Sequence, residues 1–151
     1  MSAQESFQTL KSFFENGRAA RQSLAFLKEG VEIGIVIGQT VECALFKRDG
    51  VPVIEERAAQ NPDVIFYVRP ETVEILSIRT KDEVGDVGVN VLKEIFAGNI
   101  EVKVPGRLTK LLKHGYIQVM ASGGTQVNEF LKRHGYDGVL KILNMIKQMR
   151  R

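Results

Sequence analysis

The chain has 151 residues, the size of a single domain. Apolar residues make up 44% of it, with 14 Gly and 4 Pro, which excludes a disordered, collagenous or low-complexity polymer. Lys and Arg number 21 against 18 Asp and Glu, and the net charge of +3 is too small to point to nucleic acid by itself. The charge is uneven, however: residues 123–151 sum to +4 and the preceding residues to −1. The single cysteine, Cys43, excludes an internal disulfide, so stability has to come from packing. The longest apolar stretch, around Ile33 and Ile37, falls far short of the ~20 residues that span a bilayer. With Glu5 early and no unbroken apolar run after it, the N-terminus does not read as a signal peptide, and a cytoplasmic protein is expected.

In chain order, Ser2 and Glu5 have the spacing of a capping box, and Phe7, Leu10, Phe13 and Phe14 follow at helical spacing. A second apolar stretch with Leu24, Phe26 and Leu27 closes at Gly30, so the segment is one helix broken near Asn16-Gly17 or two short ones. At Val31 the period drops to two. Ile33, Ile35 and Ile37 form one strand, and Val41, Cys43 and Leu45 a second. Asp49-Gly50 marks a tight turn into a third strand with Val51, Val53 and Ile54. After Asn61-Pro62, residues 63–69 form a strand apolar on both faces, expected to be central or covered twice. Short connections predict that these four strands make one antiparallel meander.

From Pro70 the period is helical. Val73, Leu76 and Ile78 are read on one face, and Thr80 and Glu83 offer a second capping box for a helix that ends before Gly98. A short strand with Ile100, Val102 and Val104 stops at Pro105-Gly106, and the rest of the chain is helical. Lys113-His114-Gly115-Tyr116 is echoed by Arg133-His134-Gly135-Tyr136, read as two helix ends. At Gly115 two readings stand: a helix end followed by a connector, or a close-packing point in a continuous helix.

Signs of catalysis are sparse. Neither His114 nor His134 has a Cys, Asp or Glu at metal-ligand spacing, and no serine sits in a nucleophile elbow. Cys43 reads as a buried, inert thiol, and the paired carboxylates Glu55-Glu56 and Asp82-Glu83 as a solvated face and a complement to a helix dipole. No catalytic residue, metal or cofactor is therefore expected. More telling is the surplus of apolar helical faces against five short strands. Such faces pack on one another, close an apolar cavity, or meet a partner or membrane.

The order of these elements resembles the sterol carrier protein 2-like (nonspecific lipid-transfer) family. The likeness rests on a leading helix, a meander with an Asp-Gly turn, the strand Asp63-Val64-Ile65-Phe66-Tyr67-Val68 and the helix opening Glu71-Thr72-Val73-Glu74-Ile75-Leu76. Phe96-Ala97-Gly98-Asn99, the short strand after it and Gly106 complete it. The family's Ala-Asp-Val corresponds to Pro62-Asp63-Val64, and its Gly-to-Gly strand to residues 98–106. Residues 5–122 carry the pattern, while Pro105, Arg107 and the tail after Gly123 depart from it.

The resemblance implies an α+β fold, with a five-stranded, mainly antiparallel sheet covered by helices. Residues 1–122 would form the domain, and 123–151 a basic amphipathic helical extension packed on it. Such domains bind or transfer fatty acids, sterols or other lipids in a hydrophobic tunnel between sheet and helices, without catalysis. Candidate lining residues are Ile35, Leu45 and Phe66 from the sheet and Leu76, Leu92, Ile95 and Phe96 from the middle helices, with Leu112, Val119 and Met120 closing the far side. Lys141, Lys147, Arg150 and Arg151 supply charge to an amphipathic last helix, for docking on the domain, an anionic membrane or a partner. The alternative function is a protein-interaction or accessory module, for instance in lipid or quinone metabolism, that uses this helix. Nucleic acid is not expected as a partner, because stacking aromatics are sparse. Oligomeric state is left open.

Overall fold

The computed structural model describes residues 2–79, 84–105, 107–121, 124–136 and 139–148; the side chains at some helix positions, Met120 among them, lie outside that description. Helix α1 (Ala3–Asn16) starts where the sequence signals it. The Ser2 hydroxyl accepts from Glu5 N at 3.1 Å, and the Glu5 carboxylate accepts from Ser2 N at 3.3 Å. Gly17, with extended backbone, breaks the run, and α2 (Arg18–Ser23) follows as a separate short helix.

Strands β1 (Ile33–Ile37), β2 (Val41–Arg48), β3 (Val51–Glu55), β4 (Val64–Val68) and β5 (Ile100–Lys103) form one sheet in the order β3-β2-β1-β4-β5. Three of its pairings are antiparallel, so the α+β class and the mainly antiparallel sheet are as expected. The single meander is not. Only β1 to β3 form one, through a turn in which Asp49 and Gly50 both have positive φ (54° and 78°). Strand β4 crosses to the far side of β1 and pairs with it in parallel.

Register explains how so short a connection crosses the sheet. Glu55 at the end of β3 lies opposite Ala44, which lies opposite Gly34, while Ile33 lies beside Val64 at the start of β4. The two ends are therefore level along the strand axis, and residues 56–63 cross sideways with no return leg. They cross over Gly34, where a Cβ would stand 3.6 Å from the Ala59 Cβ and 3.2 Å from Ile65 Cγ1. Glu32 pins the crossing. Its carboxylate accepts from Arg57 Nη1 and Nη2 at 2.9 and 2.8 Å and from Gln60 N at 2.7 Å.

Alternation then sorts the faces. Ile33, Ile35 and Ile37 share one face with Leu45, Val64, Phe66 and Val68, and the helices cover it. Helix α1 lies over β3 and β2, with Phe7 buried against the sheet. Its Glu15 accepts from the edge-strand amide Ile54 N at 3.1 Å, which occupies a donor otherwise free to pair with another chain. Helices α3 (Pro70–Arg79) and α4 (Val84–Phe96) follow β4, and Gly98 ends the run with φ 82°. The Thr80/Glu83 capping box lies outside the described residues. On α3, Val73 is buried, but Ile78 is 77% exposed and does not share its face.

Helices α5 (Leu108–Lys113), α6 (Tyr116–Ala121), α7 (Gly124–Arg133) and α8 (Val139–Gln148) complete the layer. Both echoed His-Gly pairs follow helix ends, as read, with φ 91° at Gly115 and 87° at Gly135. Gly115 follows the end of α5, as in the first reading, but the residues after it form helix α6 and not a connector. The close packing of the second reading holds without a continuous helix. Gly115 turns the chain between α5 and α6, and a Cβ there would fall 1.9 Å from the Phe26 carbonyl oxygen. Among the described residues no helix is long and apolar enough to cross a membrane.

Candidate functional site

The inner face of the sheet and the helices do not meet everywhere. Between them lies a cavity of about 340 Å³. The sheet supplies Ile33 and Ile35 of β1, Leu45 of β2, Val64, Phe66 and Val68 of β4, and Ile100 and Val102 of β5. These are the period-two positions of one face, so the wall follows directly from strand alternation. The roof comes from Leu10 and Phe14 of α1, Val73 and Leu76 of α3, and Val87, Val91, Leu92 and Ile95 of α4. Leu111, Tyr116, Val119, Val127 and Met145 bring in α5, α6, α7 and α8. Helix α7 approaches α4 closely: a Cβ on Gly88 would be 2.7 Å from Val127 Cγ2.

The lining is apolar almost throughout. Of its residues only Ser23 and Tyr116 carry a hydroxyl, and Ser23 Oγ donates to Ala19 O at 2.7 Å. The Tyr116 hydroxyl is buried beside the Asp63 carboxylate, with no hydrogen bond of good geometry among the described residues. Burial first, then the neighbouring Asp63 carboxylate, pushes its ionisation well above the usual phenol range, so the ring stays neutral. Beside it, Asp63 is buried and its Oδ2 lies 2.5 Å from His114 Nδ1. A lining of this chemistry favours apolar contents over water.

Of the residues expected to line a tunnel, Ile35, Leu45, Phe66, Leu76, Leu92, Ile95 and Val119 are brought together around this cavity. Two are placed elsewhere. Phe96 turns toward α7 and the residues after it, where its ring stacks on Phe130, His134 and Tyr136 at centroid distances of 5.6, 5.0 and 5.7 Å. Leu112 faces solvent at 44% exposure, because its neighbour Leu111 takes the inward direction. The Met120 side chain, Arg150 and Arg151 lie outside the described residues, while Lys141 and Lys147 are exposed on α8.

Sequence reasoning missed Ile33, Val64 and Val68, although each stands two positions from a residue it named. It also missed the Asp63–His114 pair, which joins residues far apart in sequence and has no local signal. Among the described residues no group of three or more His, Cys, Asp or Glu side chains is placed to hold a metal ion. Burial first and the negative charge of Glu56 second push the Cys43 thiol up to about 11.

No protein-family model matches the sequence, and no curated protein matches it. Solved structures do match. A UbiJ-SCP2 ubiquinone synthesis protein is 14% identical with a TM-score of 0.45, over 78% of this chain and 90% of that one. The sterol carrier protein domain 2 of Helicoverpa armigera is 19% identical with a TM-score of 0.44, over 80% and 87%. The inverting sec-alkylsulfatase Pisa1 from Pseudomonas sp. is 14% identical with a TM-score of 0.44, over 71% of this chain and 15% of that one.

Proposed function

We propose that the protein is a non-catalytic carrier that holds an apolar molecule, such as a fatty acyl chain, a sterol or a polyprenyl lipid, between its sheet and its helices. The observation that carries this reading is the cavity of about 340 Å³ walled by aliphatic and aromatic side chains from every layer. Its volume falls within the range of about 300–1,000 Å³ common to small-molecule sites. Residues 123–151 belong with the rest as one working unit in this reading, because Val127 and Met145 contribute to the wall.

The energetics suit a carrier. Burying a methylene yields about 0.8 kcal/mol, so a chain burying ~10 of them gains roughly 8 kcal/mol gross. Ordering the ligand takes back part of that gain. Affinity is therefore expected near micromolar at best, since ~1 μM corresponds to about 8.2 kcal/mol. Selectivity among chain lengths is expected to be low, because one methylene more or less changes binding little.

The test is native mass spectrometry of freshly purified protein together with titration by a fluorescent fatty acid. Extra mass that solvent extraction removes, or saturable probe uptake displaced by unlabelled lipid, is the expected result. Protein with no added mass and no probe uptake ends the reading.

A further inference from the structure

Two stretches of the chain contain no carboxylate at all. Residues 16–28 carry Arg18, Arg21 and Lys28, and residues 102–128 carry Lys103, Arg107, Lys110 and Lys113. The fold brings them into contact. Lys28 N donates to His114 O at 2.9 Å, and the backbone at Phe26 fits against Gly115 only because that residue has no Cβ. Where they meet, two large apolar side chains face water, Phe26 at 58% and Leu112 at 44% exposure. Lys28, Arg107, Lys110 and Lys113 are exposed within the same two segments.

Among the described residues, two acids that adjoin these segments are engaged elsewhere. Glu29 accepts from Asp49 N and Gly50 N at 3.1 and 2.6 Å and so is committed to the β2–β3 turn. Asp63 is buried against His114. Single exposed apolar residues are ordinary, and surface charge normally mixes both signs. Here two exposed apolar side chains sit among cations with no acid interspersed in either segment, which complements a surface that is anionic at its head groups and apolar just beneath. The same segments also supply Leu24, Leu111 and Tyr116 to the cavity wall, so this corner adjoins the cavity.

We propose that the corner made by residues 24–28 and α5 docks on an anionic lipid bilayer, with Phe26 and Leu112 entering the interface and the surrounding lysines and Arg107 meeting lipid head groups. It uses residues other than the basic ones of α8.

The test is co-sedimentation of the full chain with phosphatidylcholine vesicles, with and without phosphatidylglycerol. Expected are binding to the mixed vesicles only, loss of binding as salt rises, and about thirtyfold weaker binding for Lys110→Glu/Lys113→Glu. Phe26→Ala is expected to bind the same vesicles about tenfold more weakly. Both variants alter exposed positions away from the cavity wall, and circular dichroism with fluorescent fatty acid uptake checks that each stays folded. No vesicle binding, equal binding to neutral vesicles, or a charge-reversal variant that binds like the parent overturns the proposal. So does capture on heparin that Phe26→Ala leaves unchanged while vesicles fail to bind, because the partner is then a soluble polyanion. The proposal does not depend on the carrier reading: vesicle binding without fatty acid uptake removes that reading and leaves this one, and uptake without vesicle binding does the reverse.

Discussion

His114 Nδ1 lies 2.5 Å from Asp63 Oδ2 and ties the α5–α6 corner to the residue that opens β4. The carboxylate is 3% exposed and the imidazole 20%. Removing the ring leaves a carboxylate buried without its partner, which costs several times what an exposed pair is worth. His114→Ala is therefore expected to lower stability by about 3 kcal/mol, measured by urea denaturation. His134 is an internal control, being an exposed ring stacked on Phe96 at the end of α7. His134→Ala is expected to cost about 1 kcal/mol. Equal losses in the two variants would mean that the buried pair contributes nothing special.

Gly115 stands at the same corner under two constraints at once. Its φ of 91° disfavours any side chain, and a Cβ would overlap the Phe26 carbonyl oxygen. Gly115→Ala is expected to destabilise the fold by about 3 kcal/mol or more, because the obstructing atom is backbone and cannot rotate away. Thermal unfolding checks it. A shift no larger than that of an exposed Gly→Ala change elsewhere would show that the loop at Phe26 moves aside freely.

The crossing of residues 56–63 makes a prediction about acid. Hydrogen bonds from Arg57 first, and then from Gln60 N, hold the Glu32 carboxyl below its ordinary value of 4.5 against an opposing effect of burial. A carboxyl lowered on folding contributes stability that is present above 4.5 and lost as pH falls through its folded value. With Arg57 35% exposed, solvent screening limits the contribution to about 1 kcal/mol. Glu32→Gln is expected to flatten the acid limb of the stability curve while leaving the slope above pH 7 unchanged. An acid limb identical to the parent's would remove this pair from the account.

How far these features can be read from the sequence follows from geometry. Alternation is a local property, so the strands and their inward positions Ile35, Leu45 and Phe66 were legible. The partner of β4 was not, because it depends on the stagger between β3 and β1 and on Gly34 leaving room for a crossing chain. Helical neighbours posed a different difficulty. Leu111 and Leu112, like Ile95 and Phe96, are adjacent and equally apolar, yet successive side chains point about 100° apart around a helix. Only tertiary packing decides which of each pair turns inward, and here it is Leu111 and Ile95. Phe26 fits helical spacing just as well, but α2 ends at Ser23 and leaves the ring outside.

Filling the cavity separates a binding site from a merely loose interior. Leu92 is half-buried on α4 and lines the cavity. Leu92→Trp extends the side chain into unoccupied volume, so stability is expected to hold within about 1 kcal/mol. Uptake of a fluorescent fatty acid is expected to fall about tenfold or more in the same protein. Unchanged uptake with unchanged stability would place the ligand somewhere other than between sheet and helices.

Cys43 reports on opening of the inner face. It is 1% exposed in the core cluster that includes Ile35 and Leu45, and its thiol is pushed up to about 11 by burial and then by Glu56. A thiol raised on folding gives stability that is full below its ordinary value of 9.0 and is lost as pH rises toward 11. At pH 8 only about one native molecule in a thousand carries the thiolate, which is the reactive form. Reaction with a disulfide reagent is therefore expected only when the helices leave the sheet, at a rate that rises steeply with urea. A ligand that binds the closed form lowers the population of the open one, so a saturating fatty acid is expected to slow the labelling in proportion to its occupancy. Labelling that is fast without urea and indifferent to fatty acid would show the thiol reachable in the closed protein and unlinked to the cavity.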